Sequence, residues 1–502
     1  MHQRILPIAF VPILLAAAAT ESRGAALLTR RPYLQSLGRD RVTIMWRTST
    51  PARQTLDYTP AVAEGAGAPY AQTCLESTPS THHELTLTGL LPGTTYRYQV
   101  REDTTVVASG DAYTFRTDAG RQDRQFAFFA TGDIGEDPAK DGQQVATQAM
   151  IRRLVPRADF GLFLGDLIDP GGRSADYDPR IMRPWADLLC NTPVWPVLGN
   201  HDWQADPDSN FGREWSLPHN EHYYSFDYGN AHFIGLDTGN RSLYDEANQL
   251  AWLKNDLETH RDATWTFVFH HYTLHTCTYK GDSPYMRNVL LPIFDRYHVD
   301  VVLSGHAHTY ERSHPLFARQ PIDQDQNPCY TDPRGTIYII SGAGAKFRRG
   351  EPTTFCGPTA AFADEHILFT QVFVDGQRAY LLTYDSMDGR VLDWAAIEKS
   401  PRLSSAAWAP TPFRLLQNVP NPFNPTTRIP FVMAAPGRAR LRVLAPDGRW
   451  IADVADGLFP AGLQQVIWDG RDASGARVAS GGYVCQLQAE DRTESIKMTL
   501  VR

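Results

Sequence analysis

The stretch ADFGLFLGDLIDPGG, Ala158–Gly172, decides the fold of the central part of the chain. An apolar run, Ala158–Leu164, stops abruptly. Asp166 and Asp169 follow three residues apart, and Pro170, Gly171 and Gly172 then turn the chain. Ending a buried strand in two carboxylates is costly unless something positive pairs them.

The pattern recurs. "QFAFFATGD" ends in Asp133, "VWPVLGNHD" in Asn200, His201 and Asp202, "WTFVFHH" in His270 and His271, and "VDVVLSGHAH" in His306 and His308. Segments of helical spacing lie between them: "GQQVATQAMIRRL", "NQLAWLKNDLETH" and "NVLLPIFDRY". This alternation, from about Arg124 to Ile397, predicts an α/β layered domain with β-sheets flanked by helices. Ligand-binding groups in such folds gather beyond the carboxyl ends of the strands.

The flanking parts read differently. From about Leu27 to Asp118, "RVTIMWRTS" alternates apolar and polar residues, and "HELTLTGLLPGTTYRYQVR" reads as strand, turn, strand, which predicts a small β-sandwich. Residues 398–412 have a linker composition rich in Ser, Ala and Pro. From Phe413 to Arg502, short strands return between Asp-Gly, Ser-Gly and Gly-Gly turns, predicting a second β-sandwich. Residues 1–24 pair a short basic region with the apolar run Ile5–Ala19, the pattern of a signal peptide, so an exported protein without a transmembrane span in its mature chain is expected.

The 502 residues suggest two to four domains. Lys plus Arg number 48 against 56 Asp plus Glu, a net charge of -8 with no basic stretch, which argues against a nucleic-acid partner. None of the six cysteines lies in a C-x-x-C pair, so a cysteine zinc site is disfavoured. Export permits disulfides, and Cys277, Cys329 and Cys356 lie in loop-like sequence suited to pairing, with no connectivity implied.

The polar residues at the strand ends are carboxylates, an amide oxygen and imidazoles. A mixed oxygen and nitrogen set suits iron, zinc or manganese. His306 and His308, two apart, face one site if their segment is extended. There are enough ligands for two ions, and a bridging carboxylate between them makes the arrangement that clamps a displacement at phosphorus. A lone His-x-His is an ordinary surface feature and a lone Asn-His a turn; the ordered set at five strand ends is what carries the reading.

That set, GD…GDxx…GNH(D)…VxxH…GHxH, resembles the calcineurin-like metallophosphoesterases. "GHAHTYERSHP" after an N-terminal fibronectin type III-like domain, with Trp46 as core tryptophan, resembles their purple acid phosphatase branch. The resemblance implies two metal ions, iron with zinc, manganese or iron. It assigns Asp133, Asp166 and His308 to the first, and Asp166, Asn200, His271 and His306 to the second. V-x-x-H counted from Val268 lands on His271; His270 is the alternative, and the two side chains face opposite ways if the strand continues. His201 falls near the substrate, where it protonates the leaving oxygen or steadies a phosphate oxygen, while a metal-bound hydroxide attacks.

Asp169 departs from the pattern, since the purple branch has a colour-giving tyrosine there. A carboxylate at this position is either a metal ligand, the reading given slight preference, or an outer group bonding to metal-bound water. Asp202 either caps a helix or bonds backbone amides. His275 and Lys280 are candidate phosphate contacts, with a solvated loop as the alternative, and Glu311 and Arg312 are expected to brace the GHAH loop.

The expected activity is hydrolysis of phosphate monoesters by an acid phosphatase-like enzyme. A phosphodiesterase or nucleotide hydrolase is the alternative on the same site. A surface-binding multi-β-sandwich protein with a non-catalytic metal site is the alternative of another class. The C-terminal part, in "NVPNPFNPTTRI", "VIWDGRDASGARVASGGYV" and "KMTLVR", resembles FlgD-like, type IX secretion-style sorting domains, which implies secretion machinery as a partner; a plain accessory module is the equal alternative.

Overall fold

The computed structural model describes residues 26–61, 69–121, 125–137, 143–155, 158–239, 242–278, 280–281, 283–323, 328–348, 358–400, 414–418, 420–433, 437–459, 462–489 and 492–501. The expected signal peptide and most of the expected linker lie outside them.

The N-terminal part is β throughout. Leu28–Gln35, Arg41–Ala52 and Ser80–Thr88 form a three-stranded antiparallel sheet. A second sheet centres on Thr55–Pro60 and Thr95–Glu102. In Arg41–Ala52 the expected alternation gives way to burial of every residue from Val42 to Trp46, and the Trp46 ring stacks on His83 at 5.1 Å. This part is not a free spacer: it shares one core with the central domain. Arg30 reaches Asp178 at 2.7 Å and also pairs with Glu214. Arg47 reaches Glu214 at 2.6 Å, and the Tyr33 hydroxyl donates to the Glu214 carbonyl at 2.7 Å.

The central domain holds two seven-stranded mixed sheets. In the first, Gln125–Thr131, Phe160–Phe163 and Val194–Pro196 run parallel and pair in that order. In the second, Ala231–Gly235, Trp265–His270, Val301–Ser304 and Ile337–Ser341 run parallel. Their near-continuous apolar runs follow from burial on both faces. Aromatic rings fill the space between: Phe128 meets Phe160 at 5.1 Å and Phe267 at 5.3 Å, and Phe233 stacks on Phe267 at 5.0 Å.

The helices form where their periodicity allows one buried stripe. Gln143–Leu154 buries Gln144, Thr147, Ile151 and Leu154, spaced at three and four residues. Pro284–Tyr297 starts with Pro284 in its first turn and Ser283 accepting from the Met286 amide. It ends at His298 in the left-handed region.

Strand Val391–Glu398 closes the central domain. Lys399 bonds Asp300 at 2.6 Å, and the Ser400 amide donates to Asp332 at 2.7 Å. The chain is therefore held through Ser400, past the boundary expected at Ile397. Beyond it, two further sheets, one centred on Thr427–Met433 and one on Gly437–Leu444, share a separate core that includes Phe431, Leu441, Trp468 and Leu487. Among the described residues no helix is long and apolar enough to cross a membrane.

Candidate metal centre

All five polar strand ends converge at the carboxyl ends of the parallel strands. Asp133 lies two residues beyond Thr131 and Asp166 three beyond Phe163, both with φ near +50°. The left-handed turn swings each carboxylate back over the strand end, a cost tolerated where surrounding contacts over-determine the conformation. Here the Asp133 amide donates to the Gly165 carbonyl at 3.0 Å, and the His306 amide donates to Asp133 Oδ2 at 2.8 Å. The His201 amide donates to Asp166 Oδ1 at 2.8 Å.

Asp166, His271 and His306 place ligand atoms within 4.8 Å of one another. His271 Nε2 lies 3.3 Å from Asp166 Oδ2, 3.3 Å from Asn200 Oδ1 and 3.3 Å from His306 Nδ1. Donors each about 2.1 Å from one cation stand about 3.0–3.4 Å apart, so these spacings fit a common ion. Beside them His308 Nε2 lies 3.1 Å from Asp133 Oδ1, a buried oxygen without a hydrogen-bond partner. Thus the two histidines of GHAH serve different partners. They do not share a side of an extended segment, because His306 has φ 68° and the loop turns between them.

His271 is the histidine that joins the cluster. Its Nδ1 donates to the Leu164 carbonyl at 2.8 Å, which fixes the tautomer and leaves Nε2 to face the site. His270 points the other way, fully buried, and neither ring nitrogen has a partner. Burial, then the charge of His271, lowers its pKa to about 3. Burial also favours neutral His306, and with His271 beside it the pKa falls to about 2. Burial alone would raise Asp166, but His271 and His201 outweigh it and hold the carboxyl well below the usual range.

At the rim, His201 is about a quarter exposed. Its Nε2 lies 3.9 Å from Asp166 Oδ2, and its Nδ1 lies 2.8 Å from the Gln204 amide and 3.0 Å from Asp169 Oδ1. The other oxygen of Asp169 pairs with Lys346, which also reaches Glu136 at 2.8 Å. Asp202 accepts from the amides of Leu167, Ile168 and Gly199 at 3.1, 3.0 and 2.8 Å, knitting two site loops together. Burial, then the Asp166 charge, raises its pKa to about 7.

The candidate outer residues divide. Glu311 accepts from Thr276 and the Cys277 amide at 2.9 Å, and Arg312 grips Asp393 at 2.6 Å, so both brace loops. His275 stands edge-on to Tyr338 at 5.0 Å, away from the cluster. Lys280 lies near enough for its charge to bear on His306. Cys277 is disulfide-bonded, whereas Cys74, Cys190 and Cys485 are free thiols. The Cys329 thiol is pushed up to about 11 by burial.

Residues 126–310 match the calcineurin-like phosphoesterase family, and residues 30–117 match the purple acid phosphatase N-terminal domain. The chain carries a purple acid phosphatase-like N-terminal domain followed by a calcineurin-like phosphoesterase domain. The family's enzymes are metal-dependent hydrolases, and purple acid phosphatases use dinuclear centres of iron with iron, zinc or manganese. Purple acid phosphatase 21 of Arabidopsis thaliana is 28% identical over 56% of this chain and 62% of its own length. Human acid phosphatase type 7 is 26% identical over 70% of this chain and 86% of its own length. The match thus spans less than two thirds of the plant relative. A purple acid phosphatase, PPD1 from yellow lupin seeds, superposes with a TM-score of 0.64 at 18% identity, covering 77% of this chain and 78% of that one, which supports the fold.

The residue the structure adds to the sequence expectation is Lys346. It follows strand Ile337–Ser341 in "SGAGAKF", a sixth apolar run ending in polar sequence. The glycines let this loop lie against the site: a Cβ on Gly344 would meet Ile134 and Thr131 at 2.4 Å. The Ala345 amide donates to the Asp133 carbonyl at 3.1 Å, which places Lys346 beside the carboxylates.

Proposed function

We propose that this protein hydrolyses phosphate monoesters at a dinuclear metal centre. Asp133, Asp166 and His308 would hold one ion, and Asp166, Asn200, His271 and His306 the other. The observation that carries this is that Asp166 Oδ2, Asn200 Oδ1 and His306 Nδ1 each lie 3.3 Å from His271 Nε2, with Asp166, His271 and His306 buried. Two bound cations would supply positive charge for the phosphate and acidify water.

His201 is the residue placed to touch substrate, since about a quarter of its side chain is exposed while Asp133, Asp166, His271 and His306 are buried. Its Nε2 side faces the centre and can give a proton to the leaving oxygen or bond a phosphate oxygen. Asp169 fits the outer role better than ligation, because one of its oxygens already pairs with Lys346 and the other faces His201 Nδ1. Lys346 then offsets the charge of Asp169 and Glu136 next to a site of carboxylates.

The two flanking parts have roles outside the chemistry in this proposal. The N-terminal sheets, fibronectin type III-like in sequence, buttress the central domain at Asp178 and Glu214. The basic and apolar N-terminus directs export to the cell surface or medium, and the C-terminal part, read as a β-sandwich, is the element secretion machinery would recognise. A substrate panel of chromogenic monoesters and diesters on the metal-loaded protein tests the function: preference for the diester would replace the monoester reading with a phosphodiesterase. Unchanged hydrolysis after replacing Asn200 and His201 by Ala would leave the centre non-catalytic.

A further inference from the structure

At the end of the second sheet opposite the metal centre is a cavity of about 320 Å³. It opens beside the first residues of strands Ala231–Gly235 and Trp265–His270 and the last turns of helices Glu246–Thr259 and Pro284–Tyr297. A strand of six residues, about 20 Å, separates it from the catalytic loops.

Its wall is basic. His232, His260, Arg261, Arg296, His298 and Lys399 line it, together with Thr266 and Tyr297, and none of the lining residues is acidic. In a chain whose net charge is -8, such a concentration is not background. The ends of two helices explain part of it, since their carbonyls favour cations. They do not explain how the cationic heads are held. Arg261 and Arg296 both lie over the Tyr297 ring, at 5.4 and 5.5 Å, and Lys399 lies over Trp265 at 4.6 Å. His260 stacks flat on His232 at 3.8 Å.

The compensating carboxylates stand behind this wall. Asp227 and Asp256 each take a nitrogen of His232 at 2.7 Å, Glu258 pairs with Arg261 at 2.9 Å, and Asp300 pairs with Lys399 at 2.6 Å. With the Asp256 carbonyl, which takes His260 Nδ1 at 2.8 Å, they fix four of the basic groups from the rear. Arg296 has no carboxylate partner among the described residues, and it shares one aromatic ring with a like charge. A guanidinium fork in that setting matches a tetrahedral oxyanion that accepts two hydrogen bonds from it. The volume suits a small ligand and is too small for a polymer.

We propose that this cavity binds a small phosphate-bearing anion, either inorganic phosphate or a low-molecular-weight phosphate ester, at a site separate from the metal centre. Arg296 and His298 are its principal donors, and His232 supplies wall and charge only, because both its nitrogens are occupied.

Calorimetric titration of the full-length holoenzyme with orthophosphate tests this. Two sites per chain are expected. The Asn200→Ala/His201→Ala protein should keep the cavity site. Arg296→Ala/His298→Ala should weaken it at least 10-fold while kcat/KM, measured without added phosphate, stays within 2-fold. Misfolding is separated by Arg296→Lys, expected to keep the Tm of the ligand-free parent while binding orthophosphate more weakly than the parent and more tightly than Arg296→Ala. It is also separated by orthophosphate raising the Tm of the Asn200→Ala/His201→Ala protein but not of the same protein carrying Arg296→Glu. Competition by glycerol phosphate in that inactive background assigns the ester or the free ion as the tighter ligand. A single site that disappears with Asn200→Ala/His201→Ala and is unchanged in Arg296→Ala/His298→Ala overturns the inference. Because binding is read without turnover, absence of phosphatase activity would leave this site standing.

Discussion

Lys346 closes an ion pair on Asp169, the carboxylate three residues beyond Asp166. Its ammonium also reaches Glu136 at 2.8 Å, so one cation serves two acids at the edge of the centre. The family's tyrosine position is thereby filled by a carboxylate paired with a lysine of the protein. Asp169→Asn is expected to retain about two ions per chain by elemental analysis, and the iron-loaded parent to show no visible charge-transfer band. Asp169→Tyr should gain such a band on iron loading. Loss of one ion in Asp169→Asn would make Asp169 a ligand instead.

Removing the cation exposes the same relationship. Lys346→Met leaves two partly buried carboxylates uncompensated. The pair is intermediate between an exposed bridge and a fully buried one, so a loss of about 1–2 kcal/mol in chemical denaturation is expected.

His270 and His271 are neighbours with opposite fates. His271→Ala should lose bound metal and activity together. His270→Leu should keep both, and should hold or raise stability by about 1 kcal/mol, because neither nitrogen of His270 has a partner to lose. Metal content and denaturation midpoints of the two variants check this; metal loss in His270→Leu would reverse the assignment.

Much of the centre was legible because each strand ends where its apolar run ends. Asp166 is buried at the end of the run Phe160–Leu164, and the mismatch of a carboxylate after an apolar run is visible in one dimension. The direction of a loop is not visible. His306 and His308 looked like neighbours on an extended segment, but a left-handed residue turns them to different partners. Lys346 escaped notice because its significance depends on Gly342 and Gly344 allowing close approach to Asp133, a contact between segments more than 200 residues apart. The interlock of the first two parts escaped for the same reason. Arg30 and Glu214 carry no local sign that they pair.

That interlock is a strong point of the fold. Glu214 is fully buried and takes Arg30 and Arg47 from the N-terminal part. Glu214→Gln leaves the buried Arg30 with Asp178 as its remaining counter-charge, so a loss of about 1.5–3 kcal/mol is expected in denaturant unfolding.

Stability should also respond to pH through His232. Burial lowers its pKa, but hydrogen bonds to Asp227 and Asp256 outweigh this and raise it above its ordinary 6.5. A histidine raised in the folded state contributes fully below pH 6.5 and loses that contribution as pH climbs through the folded value. Tm is expected to fall on going upward through this window, and His232→Gln to flatten the fall. A Tm profile identical in the two proteins would contradict the assignment.

His201 should separate chemistry from metal binding. His201→Ala is expected to lower kcat by about 10²–10³-fold with both ions retained. Turnover and metal content measured on the same preparation decide it.

The measurement closest to the central claim is elemental analysis of the purified protein coupled to hydrolysis of a chromogenic phosphate monoester before chelation, after it, and after reloading. The expected result is about two ions per chain, activity lost with the metal and restored with it. Hydrolysis that persists in the metal-free protein would contradict the account.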